Sequence, residues 1–155
     1  MALTDNKNFL SPVGYTLKID SAFANTEYFC TAATLPGIGI SSVDTPYKGV
    51  NLGMTGDRMT FEDFSITFNV TENMENYIEI WDWIKNLATL KEAEKDWKYD
   101  ARLMILTSHN NPQKEIVFHD LFPTSLSAIE FNAQSTDIEY VQASVTFKYS
   151  YFEII

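Results

Sequence analysis

The stretch from residue 56 to residue 87 constrains the fold of this chain most strongly, because its apolar period changes from that of a strand to that of a helix. In the first half, apolar and polar residues alternate strictly, with one face formed by Phe64, Ile66, Phe68 and Val70. This alternation is typical of a half-buried strand, which we predict over residues 61–70. Before it, Gly56-Asp57-Arg58 has the composition of a turn.

In the second half of this stretch, apolar residues recur at helical spacing from Asn73, the predicted N-cap. One line comprises Met74, Tyr77, Ile78, Trp81, Ile84 and Ala88, and a second line beside it comprises Ile80, Trp83 and Leu87. Together, the two lines make the apolar face of the helix wider than packing on one sheet requires. We therefore expect part of it, with Trp81 and Trp83 as candidate interface residues, to be covered by another subunit.

The composition predicts one globular, mainly β domain over residues 1–155. Hydrophobic residues make up 45% of the chain, which includes eleven Phe and eight Tyr residues that favour strands. The single cysteine, Cys30, excludes an internal disulfide and is expected to be a small buried side chain. The first residues lack the apolar run of a signal peptide, and no window is apolar enough for a membrane span. We expect a soluble protein that is used without export.

The net charge of −10 argues against a protein that grips nucleic acid, because affinity for phosphates comes from Lys and Arg. It does not exclude a surface past which nucleic acid slides. Catalytic patterns are also missing: two histidines, His109 and His119, with one distant cysteine do not form a zinc set, and there is no phosphate-binding glycine loop or nucleophile elbow. The sequence predicts no enzyme and no cofactor.

Two segments are predicted to be arms, namely residues 1–13 and about 38–55. The second contains three glycines and a proline, alternates only weakly, and has too little apolar content to fold alone. We predict two short extended pieces around residues 46–49 that project from the body, and we expect them either to be mobile loops or to pair with a neighbouring subunit. The candidate interface residues within it are Pro46, Tyr47, Gly49, Val50 and Leu52.

The remaining strands are predicted from alternation and turn residues at 15–20, 26–34, 101–107, 115–119, 126–131 and 138–152. Residues 109–112 form a predicted hairpin turn, and residues 120–125 a predicted bend. The last strand is longer than one small sandwich needs, so we expect it to bend or to extend into an assembly. The predicted architecture is an antiparallel β-sandwich or half-barrel with one flanking helix.

Several of these segments, in this order, resemble the tail tube proteins of contractile-tailed bacteriophages. The resemblance covers residues 15–153. It depends on Gly56-Asp57-Arg58, then Phe61, Asp63 and Phe64 before the Trp-bearing helix, and on Phe122-Pro123-Thr124 before the last strands. The early segment from Cys30 to Pro36 also fits.

The resemblance implies hexameric rings, in which four strands from each subunit close a β-barrel around a channel. Such rings stack into the inner tube of a virion tail, assembled in the host cytoplasm, through which the genome is ejected. The implied partners are other copies of the chain, the sheath protein outside, and baseplate and tube-terminator proteins. The tape-measure protein and double-stranded DNA would occupy the lumen without specific binding.

Three alternatives remain open from the sequence. The first is a baseplate protein of the same fold that initiates the tube, and the second is the tube subunit of a type VI secretion-like machine. The third, from a different class, is a monomeric ligand-binding β-sandwich, against which the wide helix face and the long last strand argue.

Overall fold

Antiparallel strands dominate the computed structural model, which describes residues 8–19, 23–89, 98–134 and 139–155. The strands are β1 (Tyr15–Lys18), β2 (Cys30–Ala33), β3 (Ile38–Tyr47), β4 (Val50–Phe61), β5 (Phe64–Asn69), β6 (Tyr99–Leu106), β7 (Pro112–Leu126), β8 (Gln142–Lys148) and β9 (Tyr151–Ile154). The helices of the described residues are α1 (Ala24–Tyr28) and α2 (Glu75–Thr89).

Seven of these strands form one sheet in the order β1-β6-β7-β8-β5-β2, and β9 also pairs with β7. The sheet folds over onto itself. Phe64 of β5 stacks on Phe118 of β7 with 4.4 Å between ring centroids, although β8 separates these two strands in the sheet. The predicted mainly β fold with a flanking helix is confirmed, and the described part of the sheet does not close into a barrel.

The long strand β7 connects the two halves of the sheet. Its first part pairs with β6 and β9, and its last part, from Phe122, pairs with β8. Between them Asp120 adopts a positive φ of 57°, and the register with β6 shifts nearby. The bend that the sequence predicts at 120–125 therefore lies within a continuous strand.

The predicted long last strand is bent rather than straight. It is interrupted at Tyr149 and Ser150, between β8 and β9, and both pieces lie along β7. Asp120 contacts the chain at this interruption, because its carboxylate accepts a hydrogen bond from the Ser150 hydroxyl over 3.0 Å.

The core lies between the folded halves of the sheet and the helix α2. The alternating face predicted for β5 is confirmed, because Phe64, Ile66 and Phe68 are all buried. On the helix, Ile80 and Trp83 are buried, and the Trp83 ring stacks on Phe23 at 4.4 Å. The second apolar line of the helix thus faces the core. In the first line, Tyr77 and Ile84 pack at the margin of the core, whereas Ile78 and Trp81 are exposed.

Several predicted boundaries are wrong. The segment 26–34 is not one strand, since Ala24–Tyr28 is helical before β2 begins. The residues Gly56-Asp57-Arg58 lie inside β4 and not in a turn, and residues 126–131 form no strand beyond Leu126. The predictions for residues 1–7, Asp20 and Ile138 lie outside the described residues.

The predicted N-cap of α2 is also wrong. The Thr71 hydroxyl, and not Asn73, accepts a hydrogen bond from the Glu75 backbone N–H over 3.2 Å. Met74 has a positive φ of 58°, and its carbonyl accepts the first intrahelical hydrogen bond, from Ile78. This tight entry begins the helix at Glu75.

Candidate assembly surfaces

The strands β3 and β4 form a hairpin that stands apart from the main sheet. They pair only with each other among the described residues, and every residue of β3 is exposed. At the tip, Lys48 and Gly49 have φ values of 47° and 80°. Two consecutive positive φ values are those of a type I′ turn, which matches the twist of a two-residue hairpin. The predicted arm is thus an ordered hairpin over residues 38–61.

The hairpin exposes an unusual amount of apolar surface. Eight of its apolar side chains are between 46% and 62% exposed, namely Ile38, Ile40, Val43, Tyr47, Val50, Leu52, Met54 and Met59. An isolated two-stranded hairpin is marginally stable in water. Exposed apolar surface of this extent marks an interaction site.

The candidate interface residues of the hairpin come together at its tip. Tyr47 lies opposite Val50, Pro46 lies opposite Asn51, and Leu52 lies opposite Thr45. Gly49 forms the turn between them. Sequence reasoning did not select Ile38, Ile40, Val43, Met54 and Met59 as candidate interface residues. The available signal was the short run of alternating apolar residues in each half of the hairpin, and these runs differ in phase.

The base of the hairpin is fixed to the body of the subunit. The Glu62 backbone N–H donates to the Gly37 carbonyl over 3.1 Å, and the Gly37 N–H donates to the Glu62 carboxylate over 3.3 Å. The Tyr149 hydroxyl donates to the Glu62 carbonyl over 2.7 Å. Burial, followed by the nearby charges of Asp63 and Glu62, raises the pKa of Tyr149 to about 12.

The outer part of α2 provides a second exposed apolar surface. Trp81 is 50% exposed and Ile78 is 46% exposed, and the Lys85 ammonium lies 4.9 Å from the centre of the Trp81 ring. Trp83, by contrast, is only 1% exposed inside the subunit. The prediction of Trp83 as an interface residue is therefore wrong, because its side chain has no surface to offer to a neighbour.

The residues that carry the family resemblance occupy structural positions. Gly56, Asp57 and Arg58 form the part of β4 where the register of the hairpin shifts. Phe61 ends β4 and packs on Phe152 with 5.3 Å between ring centroids, and Asp63 lies in the short connection to the buried Phe64. Phe122, Pro123 and Thr124 lie where β7 changes its partner to β8.

A third surface is the uncovered face of β5 and β8, which consists of paired hydroxyl and amide side chains. Ser65 lies 3.5 Å from Thr146, Thr67 lies 3.1 Å from Ser144, and the Gln142 amide donates to Asn69 over 3.3 Å. These six side chains carry no charge. Sequence reasoning found the polar side of each strand, but only the register shows that the two sides meet.

The structure offers little support for other kinds of site. No group of three or more His, Cys, Asp or Glu side chains in the described ranges is placed to hold a metal ion. Cys30 is partly buried, and burial raises the pKa of its thiol, which makes it a poor nucleophile. None of the described helices is long and apolar enough to cross a membrane.

Taken together, the exposed hairpin and the exposed helix face define a subunit of a larger protein assembly. Residues 7–155 match the family described as phage tail tube protein. No curated protein matches the chain significantly. Because the family match spans nearly the whole chain, the chain belongs to the phage tail tube protein family, and its role is that of a structural tube subunit in a virion or injection-system tail.

Several solved structures share this fold. A chain of the anti-feeding prophage cap that terminates the tube has a TM-score of 0.69 at 16% identity, covering 99% of this chain and 95% of that one. A chain of the PVC sheath-tube complex, from an extracellular contractile injection system in its extended state, has a TM-score of 0.68 at 16% identity, covering 96% and 93%. Hcp1 from Flavobacterium johnsoniae has a TM-score of 0.56 at 13% identity, covering 94% of each chain.

Proposed function

We propose that six copies of this chain form a ring, and that such rings stack into the inner tube of a contractile phage tail, with a central channel for genome ejection. The single observation that carries this proposal is the exposed apolar hairpin in a chain of the tail tube family. The hairpin residues Pro46, Tyr47, Gly49, Val50 and Leu52 would contact a neighbouring copy. Trp81 on α2 would form part of a second contact.

The free strand edges suggest how a ring would close. On its outer side β2 has no partner among the described strands, and β7 loses its partner β6 after Leu121. The strands β2, β5, β8 and the last part of β7 form four consecutive antiparallel neighbours. Because four is an even number, β2 of one copy would lie antiparallel to residues 122–126 of the next. Pairing there would leave no exposed edge on this barrel.

The same arrangement decides which surface would line the channel. The core, the other half of the sheet and α2 all lie on one side of the β5–β8 pair. In a closed ring this bulk fits on the outside of the barrel, where the circumference available to each subunit is larger. The uncovered face with Thr67 and Ser144 would therefore point into the lumen. Lys148 lies at the end of β8 on this face, but the six paired side chains include no lysine or arginine to hold phosphates. Double-stranded DNA and a tape-measure protein could therefore pass without specific binding.

The partners outside this channel follow from the same proposal. The sheath protein would surround the tube, and baseplate and tube-terminator proteins would contact its two ends. Tubes would be assembled in the host cytoplasm and become part of the virion tail. The role is structural and non-catalytic.

Negative-stain electron microscopy of the purified protein, together with its mass in solution, tests the proposal. We expect rings with a central channel that stack into tubes. A protein that stays monomeric at every concentration and also fails to extend purified tail baseplates would overturn it.

A tube-initiating baseplate protein and a type VI-like tube subunit remain candidates of the same class. The fold does not favour the main tube, since the TM-scores for the tube-terminating cap and for the sheath-tube complex differ by only 0.01, from 0.69 to 0.68. Long tubes would favour the main subunit, whereas single rings that never stack would favour a protein at the tube end.

A further inference from the structure

The apolar surface of the hairpin lies on two opposite faces. In the half near the body, Ile38 lies opposite Phe61 and Ile40 lies opposite Met59. Opposed residues of an antiparallel pair share one face, and residues two apart along a strand also share one face. These four side chains therefore form one apolar patch, which we call the proximal patch.

In the half near the tip, a second patch forms by the same rule. Val43 lies opposite Met54 and Tyr47 lies opposite Val50, and Thr45 and Leu52 lie between these pairs. We call this set the distal patch. The other face of the tip half is polar or small, with Ser42, Asp44, Pro46, Asn51, Gly53 and Thr55.

The two patches are out of phase. Along β3 the proximal patch uses even-numbered residues, Ile38 and Ile40, and the distal patch uses odd-numbered ones, Val43 and Tyr47. Strict alternation places even and odd residues on opposite faces. The pairing of β4 agrees: its register shifts opposite Ser41, where three residues of β4, 56–58, face a single residue of β3.

We propose that the hairpin is held between two different copies of this chain, one covering the proximal patch and the other covering the distal patch on the opposite face. This inference rests on the proposed tube function. A neighbour that packs on one face of a two-stranded ribbon does not reach the other face. The subunit's own body covers Phe61 of the proximal patch, whose ring packs on Phe152 and Tyr149. It leaves the rest of both patches open, since Ile40 and Leu52 are 61% and 46% exposed.

A second and a third copy are the expected occupants because the chain belongs to a family of tube subunits. The chain also carries further exposed apolar side chains outside the hairpin, including Ile78 and Trp81 of α2. The patches carry no charged side chain and so would pack on such surfaces. Each hairpin would then connect three subunits.

Photo-cross-linking of a doped assembly counts the copies that one hairpin contacts. In a Cys30→Ser background, Ile40→Cys and Leu52→Cys are introduced together and labelled with a benzophenone maleimide. The labelled chain is mixed with a large excess of unlabelled Cys30→Ser chain, assembled and irradiated. We expect covalent products of three chains on a denaturing gel, and products of two chains from each single-site variant.

The matched control is the pair Asn51→Cys and Leu52→Cys, which places the two labels on opposite faces of the tip half alone, where one face is polar. It is expected to give two-chain products. If assembled tubes of the Ile40/Leu52 variant give two-chain products at most, the inference is wrong and the tube function stands. If the unlabelled chain assembles neither alone nor on purified tail baseplates, both are wrong.

If labelling prevents a chain from entering the assembly, unlabelled variants test the inference instead. The inference requires that Ile40→Ser and Leu52→Ser each reduce polymerisation at least tenfold, whereas Asn51→Ser leaves it unchanged. Loss of polymerisation in only one of the two patch variants would overturn it.

Discussion

Gly56 approaches Ser41 so closely that a Cβ atom on Gly56 would lie 2.4 Å from the Ser41 carbonyl oxygen. No real Cβ contact with backbone is that short, so only glycine permits the approach of β3 and β4 at this point. The contact lies where the hairpin register shifts and where its apolar surface changes face. The glycine is thus a structural requirement of the hairpin.

We expect Gly56→Ala to prevent tube assembly while the body of the subunit remains folded. The added methyl group must push β4 away from Ser41, at a cost of about 1–3 kcal/mol that falls on the hairpin. Because the hairpin stands apart from the core, the thermal midpoint should change little. Electron microscopy and thermal unfolding measure the two effects.

Gly53→Ala is the matched control for this substitution. Gly53 lies in the same strand, and a Cβ atom there would have no neighbour within 4 Å. This variant should assemble normally. Equal assembly of the two alanine variants would contradict the role assigned to Gly56.

The sequence predicted those elements whose apolar residues follow one regular period. The alternation in β5 and the helical spacing after it were sufficient to place one strand and one helix. These patterns could not show which of Trp81 and Trp83 is buried. Both lines of the helix are apolar, and only the position of the sheet determines which line faces the core. The length of the hairpin was underestimated, because the alternation of apolar residues changes phase near Ser41. This change weakens the strand pattern over a long window.

The helix α1 was missed for a tertiary reason. Its sequence, with Thr26 and Tyr28, favours a strand. However, the Glu79 carboxylate of α2 accepts hydrogen bonds from the Asn25 side chain over 2.7 Å and from the Thr26 hydroxyl over 3.1 Å. A contact between residues more than fifty positions apart cannot be read from a local window.

Substitution of the two helix tryptophans should separate folding from assembly. Trp83→Ala removes a ring that packs on Phe23 and Tyr99 in the core, so we expect a loss of about 3–5 kcal/mol in the free energy of unfolding. Trp81→Ala removes a half-exposed ring and should cost less than about 1 kcal/mol, yet weaken assembly. Urea unfolding and sedimentation measure these effects, and a Trp81→Ala chain that forms normal tubes would remove Trp81 from the interface.

Asn76 is expected to be essential for the junction between β5 and α2. It is fully buried, its amide donates to the Asn69 carbonyl over 2.6 Å, and its oxygen accepts from the backbone N–H groups of Thr71 and Tyr77. Asn76→Ala leaves these backbone groups without that partner and should cost about 1–3 kcal/mol. The exposed Asn73→Ala is the comparison and should cost clearly less in the same urea titration.

Alkaline pH should loosen the base of the hairpin through Tyr149. Its pKa is raised from 10 to about 12, mainly by burial, so the folded state disfavours the ionised phenol. The stabilisation is complete below pH 10 and is lost as the pH rises through 12. Wild-type protein should therefore lose stability over this interval more steeply than Tyr149→Phe, which is expected to be about 1 kcal/mol less stable at neutral pH. Parallel slopes for the two proteins in pH-dependent urea unfolding would contradict the assignment.

The position of the hydroxyl-lined face can be tested by chemical accessibility. In assembled tubes of a Cys30→Ser background, Ser144→Cys should react with a small maleimide that diffuses through the channel, but not with a maleimide on a large polymer that cannot enter it. Lys114→Cys, at an exposed position near the start of β7 in the half of the sheet outside the barrel, should react with both reagents. In unassembled subunits Ser144→Cys should also react with both, because its face is uncovered there. Rapid reaction of Ser144→Cys with the polymer reagent in intact tubes would place this face outside the channel and would reverse the proposed orientation of the subunit.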